Sequence, residues 1–403
     1  MYILPSTDQP CLLSFTLDNS TALGGSVTVD LFNRAAILVG RNGAGKSAIL
    51  EGFESISLRA IGRRDRGRLV DSDSMPRILD IEISTPTERR LRYRYELIVG
   101  SITPDDQDVD DSTNEGSEEG QFSWNELCQY IDGEQEIQWT TESGVTFLYN
   151  NNEKRDAVIL GDTNSLRRGQ LAENSQLNFP EEMQWIHSVL KGVRLLGKTP
   201  VRQTVRRRPS LLWVSSKGIQ GFGLADSLAR KIFRRVAIGE LDELESVCQR
   251  IGLGSKITVQ KFVPSNELRE NEDEYASVLL DGVNIGLLSD GTLRVLSILL
   301  ELITLPLNAT TIIEEPEAQI HPGMLAKLLN EIEAYTFEGN LILSTHSPQV
   351  VAWTKPDKIN IVYRDCGQTN IRKLHEQEIQ TVVEYLYEEG DLGEWLYSGV
   401  LDE

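Results

Sequence analysis

The chain has 403 residues, 40% of them hydrophobic and 25% charged, which is enough to bury a substantial core and excludes wholesale disorder. No apolar run reaches the roughly 18 residues of a membrane span, and the start Met1-Tyr-Ile-Leu-Pro-Ser6 lacks the basic segment of a signal peptide, so a cytoplasmic protein is expected. The formal charge of -21 opposes long-range attraction of the whole molecule to nucleic acid or an anionic membrane, although local patches escape that argument.

In chain order, CLLSFTL at 11–17, SVTVDL at 26–31 and AAILVG at 35–40 read as extended segments, the last a buried strand by composition. From Lys46 to about Arg59 the apolar residues Ile49, Leu50, Phe53, Ile56 and Leu58 fall at near-helical spacing. ILDIEIS at 78–84 and LRYRYELIVG at 91–100 alternate apolar with charged residues, as half-exposed antiparallel strands do, and are expected to complete an N-terminal antiparallel sheet. Residues 103–120 hold Asp, Glu, Ser and Gly but no Lys or Arg, and read as a flexible surface loop that marks an insertion.

The region from 121 to 265 mixes extended runs (GVTFLYN, AVILG) with helical periodicity in EEMQWIHSVLKGV, LADSLARKIFRRVAI and LDELESVCQRI. The order then becomes strand (KITVQKFV), strand (YASVLL), helix from 291, strand (TTIIEE), helix from Pro322, strand (NLILSTHS) and strand (KINIVYR), which indicates a parallel α/β topology. Cys11, Cys128, Cys248 and Cys366 show no CxxC spacing, so neither a zinc site nor a disulfide framework is expected. Two basic runs stand out, Arg59, Arg63, Arg64, Arg66 and Arg68, and then Lys191 to Arg208. Each reads as a solvated face, as a surface for nucleic acid, or as one for an acidic partner.

The chemistry begins at Gly40-Arg41-Asn42-Gly43-Ala44-Gly45-Lys46-Ser47, a GxxxxGK[ST] loop between a buried strand and a helix. Its glycines let backbone N–H groups curl around a phosphate, and the helix behind presents unpaired amides. Lys46 is placed to reach the β- and γ-phosphates of a nucleotide, with Ser47 a hydroxyl ligand for Mg²⁺. The strand TTII delivers Glu314 and Glu315, where a first acid serves the metal shell and a second polarises the attacking water. Alone, such a pair also reads as a solvated strand end.

LILSTHS is a further apolar strand whose end carries His346 to the edge where α/β proteins bind ligands, which points to a γ-phosphate contact. Ser289-Asp290-Gly291-Thr292 opens an apolar helix. Ser289 or Asp290 reads as a helix cap, and the same helix start reads as an anion site for the nucleotide of a second copy.

The order of these four motifs resembles that of the ABC-type ATPases of the OLD, RecF and SMC group, and among them the stand-alone AAA-family ATPases of bacterial anti-phage defence systems. The likeness spans roughly 10–100 and 265–400, including the ending GDLGEWLYSGVLD. It implies an α/β, ABC-ATPase-like P-loop core with a mixed or parallel sheet, an N-terminal antiparallel sheet and an inserted α-rich region. Residues 1–102 and 265–403 form the two halves of the ATPase domain, and 103–264 a lid-like insertion.

It further implies ATP and Mg²⁺ as ligands, with Gly40 to Ser47 on phosphate, Ser47 and Glu314 at the metal, Glu315 activating water and His346 as switch histidine. Ser289, Asp290, Gly291 and Thr292 act in trans across a head-to-tail homodimer. Glu314 stands where Asp is commoner, and neither a Q-loop glutamine nor an adenine-stacking aromatic is identified. No sustained heptad run supplies SMC-like arms, and no Toprim-like metal domain follows the core. Nuclease action is therefore expected in a separate effector that an ATP-driven sensor or scaffold controls. The alternative expectation is a RecF-like repair ATPase that holds duplex DNA through the Arg59–Arg68 or Lys191–Arg208 run.

Overall fold

The computed structural model describes residues 9–63, 74–99, 122–133, 135–142, 145–150, 152–159, 166, 179–197, 209–215, 218–220, 224–262, 274–374 and 378. The acidic 103–120 loop, the cations Arg64, Arg66 and Arg68, the run beyond Gly197 to Arg208 and the GDLGEWLYSGVLD ending lie outside these residues.

A parallel sheet carries the motifs. Its order is β10 (Val193–Leu196), β16 (Thr310–Glu314), β17 (Asn340–Thr345), β3 (Ala35–Val39), β18 (Ile359–Asp365) and β19 (Gln368–Lys373). Only β19 runs antiparallel, as the return leg of a hairpin with β18. AAILV in β3 and NLILST in β17 are buried at every position, because both faces of the sheet are covered.

Alternate residues enter two different cores. Ala36, Leu38, Ile312 and Ile342 join one cluster with Phe15, Ile81 and Phe53, while Ile37, Val39, Ile313, Leu341 and Leu343 join another with the helices of the opposite face. The period of two along a strand thus assigns the layers.

The first cluster lies between the parallel sheet and an antiparallel one ordered β2 (Val27–Asp30), β1 (Cys11–Asp18), β4 (Ile78–Ser84), β5 (Arg90–Val99), β6 (Phe122–Tyr130), β7 (Glu136–Glu142), β8 (Val145–Asn150) and β9 (Glu153–Ile159). Helix α1 (Lys46–Ala60) presses Ile49, Leu50, Phe53 and Ile56 into this layer, and the Phe53 ring stacks on Phe15 with centroids 3.8 Å apart. Burying a side chain of that size is worth about 3 kcal/mol.

β4 differs from the half-exposed strand expected. Its residues are almost all buried, and Asp80 on it is covered by Arg92, whose guanidinium donates to the carboxylate at 2.9 and 2.5 Å. The cross-strand ion pair covers a charged position on the face opposite Leu79, Ile81 and Ile83, which enter the core. The sheet also runs on through β6–β9, which lie between Phe122 and Ile159; among the described residues the helices of the middle region include α2 (Glu181–Lys191), α3 (Leu224–Ile238) and α4 (Asp242–Ile251).

A third sheet, β12 (Gly218–Gln220), β11 (Leu212–Ser215), β14 (Glu274–Leu280) and β13 (Ile257–Phe262), pairs antiparallel throughout, with β15 (Val283–Asn284) folded back on β14. KITVQKFV and YASVLL therefore stand apart from the parallel sheet to which the alternating pattern assigned them. The connection from Phe262 to Glu274 is shorter than the dozen or more residues that a crossover between parallel strands needs. From β15 the chain enters α5 (Asp290–Leu302), then β16, α6 (Pro322–Tyr335), β17 and α7 (Pro348–Trp353). No described helix is long and apolar enough to cross a membrane.

Candidate nucleotide site

Three neighbouring strands of the parallel sheet, β16, β17 and β3, end on one edge. The register sets Glu314 opposite Ser344, Ser344 opposite Leu38 and Thr345 opposite Val39. With strands about 4.8 Å apart, Glu314 and the strand of the phosphate loop are separated by about 10 Å, the width that β17 and its His346 occupy.

After Val39 the loop turns through Gly43 at φ 81° and Gly45 at φ 108°, a left-handed conformation that a side chain resists. Gly45 caps α1 without any side-chain hydrogen bond, and no acid sits in the first helical turn. The first amides of α1 are thereby left for an anion. Close packing also requires these glycines. A Cβ on Gly40 would meet the Val362 carbonyl oxygen at 2.1 Å, and one on Gly45 would meet the Thr369 hydroxyl at 2.4 Å. Arg41, Asn42 and Gly43 are exposed, Ala44 is buried and Ser47 lies at the open face.

Lys46 is 5% exposed and curls back over its own loop, its Nζ donating to the carbonyls of Gly40 at 2.7 Å and Arg41 at 3.1 Å. Burial lowers its pKa, and Glu315, Glu314 and Glu317 pull it back up. Three carboxylates therefore face the ammonium across the strand ends.

Glu314 ends β16. Glu315 follows at φ 43°, with its N–H donating to the Ser344 carbonyl at 2.9 Å. Its Oε1 lies 3.4 Å from Nε2 of His346. Burial is the largest influence on that imidazole and pushes its pKa below the usual 6.5, with Lys46 adding to the effect and Glu315 and Glu317 opposing it. His346 is thus a neutral ring at pH 7.

Two side chains that the motif reading passed over hold this edge together. Glu317 accepts from the Thr345 hydroxyl at 2.7 Å and from the His346 N–H at 2.9 Å. Arg294, one turn into α5, donates to the carbonyls of Glu314 at 2.5 Å and Glu315 at 3.0 Å. Glu317 lies inside the acidic run, so its spacing gave a signal. Arg294 resembled any helix cation.

Ser289 caps α5, accepting from the Thr292 N–H at 3.1 Å and pairing with the Thr292 hydroxyl at 2.7 Å. The cap reading is correct, and it also leaves both hydroxyls exposed or partly exposed at the helix start. Asp290 is partly buried. Gly291 is buried against the loop after β16, where a Cβ would meet the Gln319 carbonyl oxygen at 2.1 Å.

The oxygen donors Ser47 and Glu314 suit Mg²⁺, which prefers hard ligands and completes its shell with nucleotide phosphate and water. Among the described residues no group of three or more His, Cys, Asp or Glu side chains converges as an all-protein metal cage. A cavity of about 430 Å³ lies elsewhere, lined by Gln9, Pro10, Gln184, Trp185, His187, Ser188 and Lys191, and contains none of the motif residues. The four cysteines are free thiols. The two basic runs approach each other, since Arg63 and Lys191 both act on His187, and Arg63 also acts on Arg194.

Residues 198–352 match the family described as "AAA domain, putative AbiEii toxin, Type IV TA system". No curated protein matches the chain in sequence. Similar solved structures include an Smc head bound to the C-winged helix domain of ScpA, at 11% identity over 91% of this chain and 99% of that one, TM-score 0.40. Others are a Pyrococcus furiosus Smc head with an extended coiled coil bound to the C-terminal domain of ScpA (12%, 94% and 100%, 0.43) and the Thermotoga maritima SMC head (11%, 91% and 99%, 0.40). The matched stretch contains the Ser289–Thr292 helix start, the acidic strand and His346, while the phosphate loop after β3 lies outside it.

Proposed function

We propose that this chain is an ABC-type P-loop ATPase that binds and hydrolyses MgATP at the edge formed by β3, β16 and β17. The reading rests on one observation: the phosphate loop, the acidic pair and His346 end three adjacent strands, with Glu315 and His346 3.4 Å apart. Lys46 exchanges its bonds to the loop carbonyls for the β- and γ-phosphates. Glu315 accepts the proton of a water that attacks the γ-phosphorus as the bond to the β-phosphate oxygen breaks, giving ADP and phosphate. Bound Mg²⁺, held by Ser47 and Glu314, supplies charge neutralisation on the phosphates. Replacing Lys46 with Ala tests the assignment: ATP binding measured by calorimetry is expected to vanish, and unchanged affinity contradicts it.

Ser289, Asp290, Gly291 and Thr292 complete the site of a second copy in a head-to-tail dimer. The exposed hydroxyl of Ser289 at a helix start supports this, as does Leu287 beside it, 45% exposed and apolar. In this reading the chain is a cytoplasmic sensor or scaffold whose ATP-driven closure governs a separate effector, a nuclease, in prokaryotic anti-phage defence. The toxin–antitoxin description of the matched family supports a place among such systems.

A second reading, a RecF-like ATPase on duplex DNA, is favoured by the approach of the two basic runs at Arg63, Lys191 and Arg194. It predicts that the isolated protein binds duplex DNA with a steep salt dependence, and that reversing Arg63 and Lys191 to Glu flattens that slope. Salt-insensitive or absent binding contradicts it.

A further inference from the structure

The carboxylate of Glu317 reaches from the loop after β16 to the end of β17. One oxygen, Oε1, accepts both the Thr345 hydroxyl at 2.7 Å and the His346 N–H at 2.9 Å. The Thr345 oxygen in turn accepts the Ser347 N–H at 2.9 Å. A single carboxylate oxygen thereby fixes the backbone through three consecutive residues centred on His346, whose ring then lies 3.4 Å from Glu315.

The arrangement is costly. Oε2 of Glu317 is buried and has no hydrogen-bond partner among the described residues, so its desolvation is uncompensated. A third negative charge beside a site for polyphosphate also opposes binding, and its field reaches both Lys46 and His346. Packing alone gives no reason for an ionisable group here, since an apolar side chain fills the same space without either cost.

The loop that carries Glu317 is gripped on its other side by α5. Arg294 holds the carbonyls of Glu314 and Glu315, and Gly291 abuts Gln319. Helix α5 and the His346 turn are thus joined through one short loop, with Glu317 as the link to β17.

We propose that Glu317 is a positioning residue for hydrolysis, which through the Thr345 hydroxyl and the His346 amide holds the imidazole against Glu315 without itself touching nucleotide. This rests on the reading of Glu315 and His346 as the hydrolytic pair.

Steady-state ATP hydrolysis by the full chain tests it. Gln at 317 keeps an oxygen that accepts both bonds, so Glu317→Gln retains kcat to within about threefold, whereas Glu317→Asp, one methylene short, loses about 10- to 100-fold in kcat with KM nearly unchanged. Thr345→Val, close in shape, deletes the hydroxyl that donates to Glu317 and accepts the Ser347 N–H, and lowers kcat about tenfold at constant KM. Added to His346→Ala, Glu317→Asp causes no further loss.

Wild-type kcat in Thr345→Val or Glu317→Asp overturns the proposal, as does equal damage from Gln and Asp, or losses that multiply in the double variant. If His346→Ala is impaired while both of those variants are normal, the positioning role alone fails. If His346→Ala hydrolyses at the wild-type rate, the hydrolytic pair fails and the proposal falls with it.

Discussion

Nε2 of His346 lies 3.4 Å from Oε1 of Glu315, although the two residues leave different strands. The left-handed φ of 43° at Glu315 turns its side chain toward the end of β17 at the point where the chain leaves β16. Because burial and Lys46 lower the pKa of the ring, the free protein holds it neutral at pH 7. A bound γ-phosphate brings negative charge near and pulls that pKa upward. NMR titration of the His346 ring is expected to give a midpoint below 6.5 without nucleotide and a higher one with a non-hydrolysable ATP analogue. A midpoint that ignores the analogue would place His346 away from the phosphate.

Acid sensitivity is expected from a second histidine. His187 is 8% exposed, and burial, reinforced by Lys191 and Arg63, lowers its pKa from 6.5 to about 4. The unfolded chain therefore binds the extra proton first, so the contribution of His187 is fully present above pH 6.5 and is lost as pH falls toward 4. At about 1.4 kcal/mol per unit, the loss between pH 7 and pH 5 is about 2 kcal/mol. Urea unfolding at these two pH values should show it, and His187→Gln should remove most of the difference.

Much of the phosphate-loop half of the site was legible because its signals are local. Gly43 and Gly45 stand where the backbone is left-handed, and Ile49, Leu50, Phe53 and Ile56 trace one face of α1. Pairing partners were not legible. Nothing within KITVQKFV or YASVLL says that the two face each other in a sheet of their own, and the covering of Asp80 on β4 depends on Arg92, which arrives from the next strand. Glu317 and Arg294 escaped for a related reason. An acid at a strand end and a cation on a helix read as solvated until the neighbouring elements are in place.

Gly291 offers a way to disturb the start of α5 without touching the phosphate loop. A methyl group there meets the Gln319 carbonyl oxygen at 2.1 Å, and backbone on both sides leaves little room to yield. Gly291→Ala is expected to leave ATP affinity within about threefold of wild type while reducing turnover at least about tenfold. Equal loss of affinity and turnover would show that the helix and the phosphate loop move as one body.

Arg294 holds two carbonyls at the acid-bearing turn. Hydrogen bonds from a charged donor are worth about 1.5–3 kcal/mol, so Arg294→Ala is expected to destabilise the fold by on the order of 2 kcal/mol and to reduce hydrolysis. Calorimetric unfolding and an ATPase assay at a temperature well below the transition separate the two effects. Full activity in the folded variant would reduce Arg294 to a structural role.

The composite site is tested most directly by Glu315→Gln, with bound nucleotide and molecular mass followed together by radiolabelled ATP and light scattering. The carboxamide keeps the shape of the side chain near His346 but does not take a proton from water. Retained ATP, no release of phosphate and a doubled mass in MgATP that collapses when Ser289 is replaced by Arg are the expected results. Normal phosphate release by Glu315→Gln, or a mass indifferent to ATP, would contradict a hydrolytic site shared between two copies of this chain.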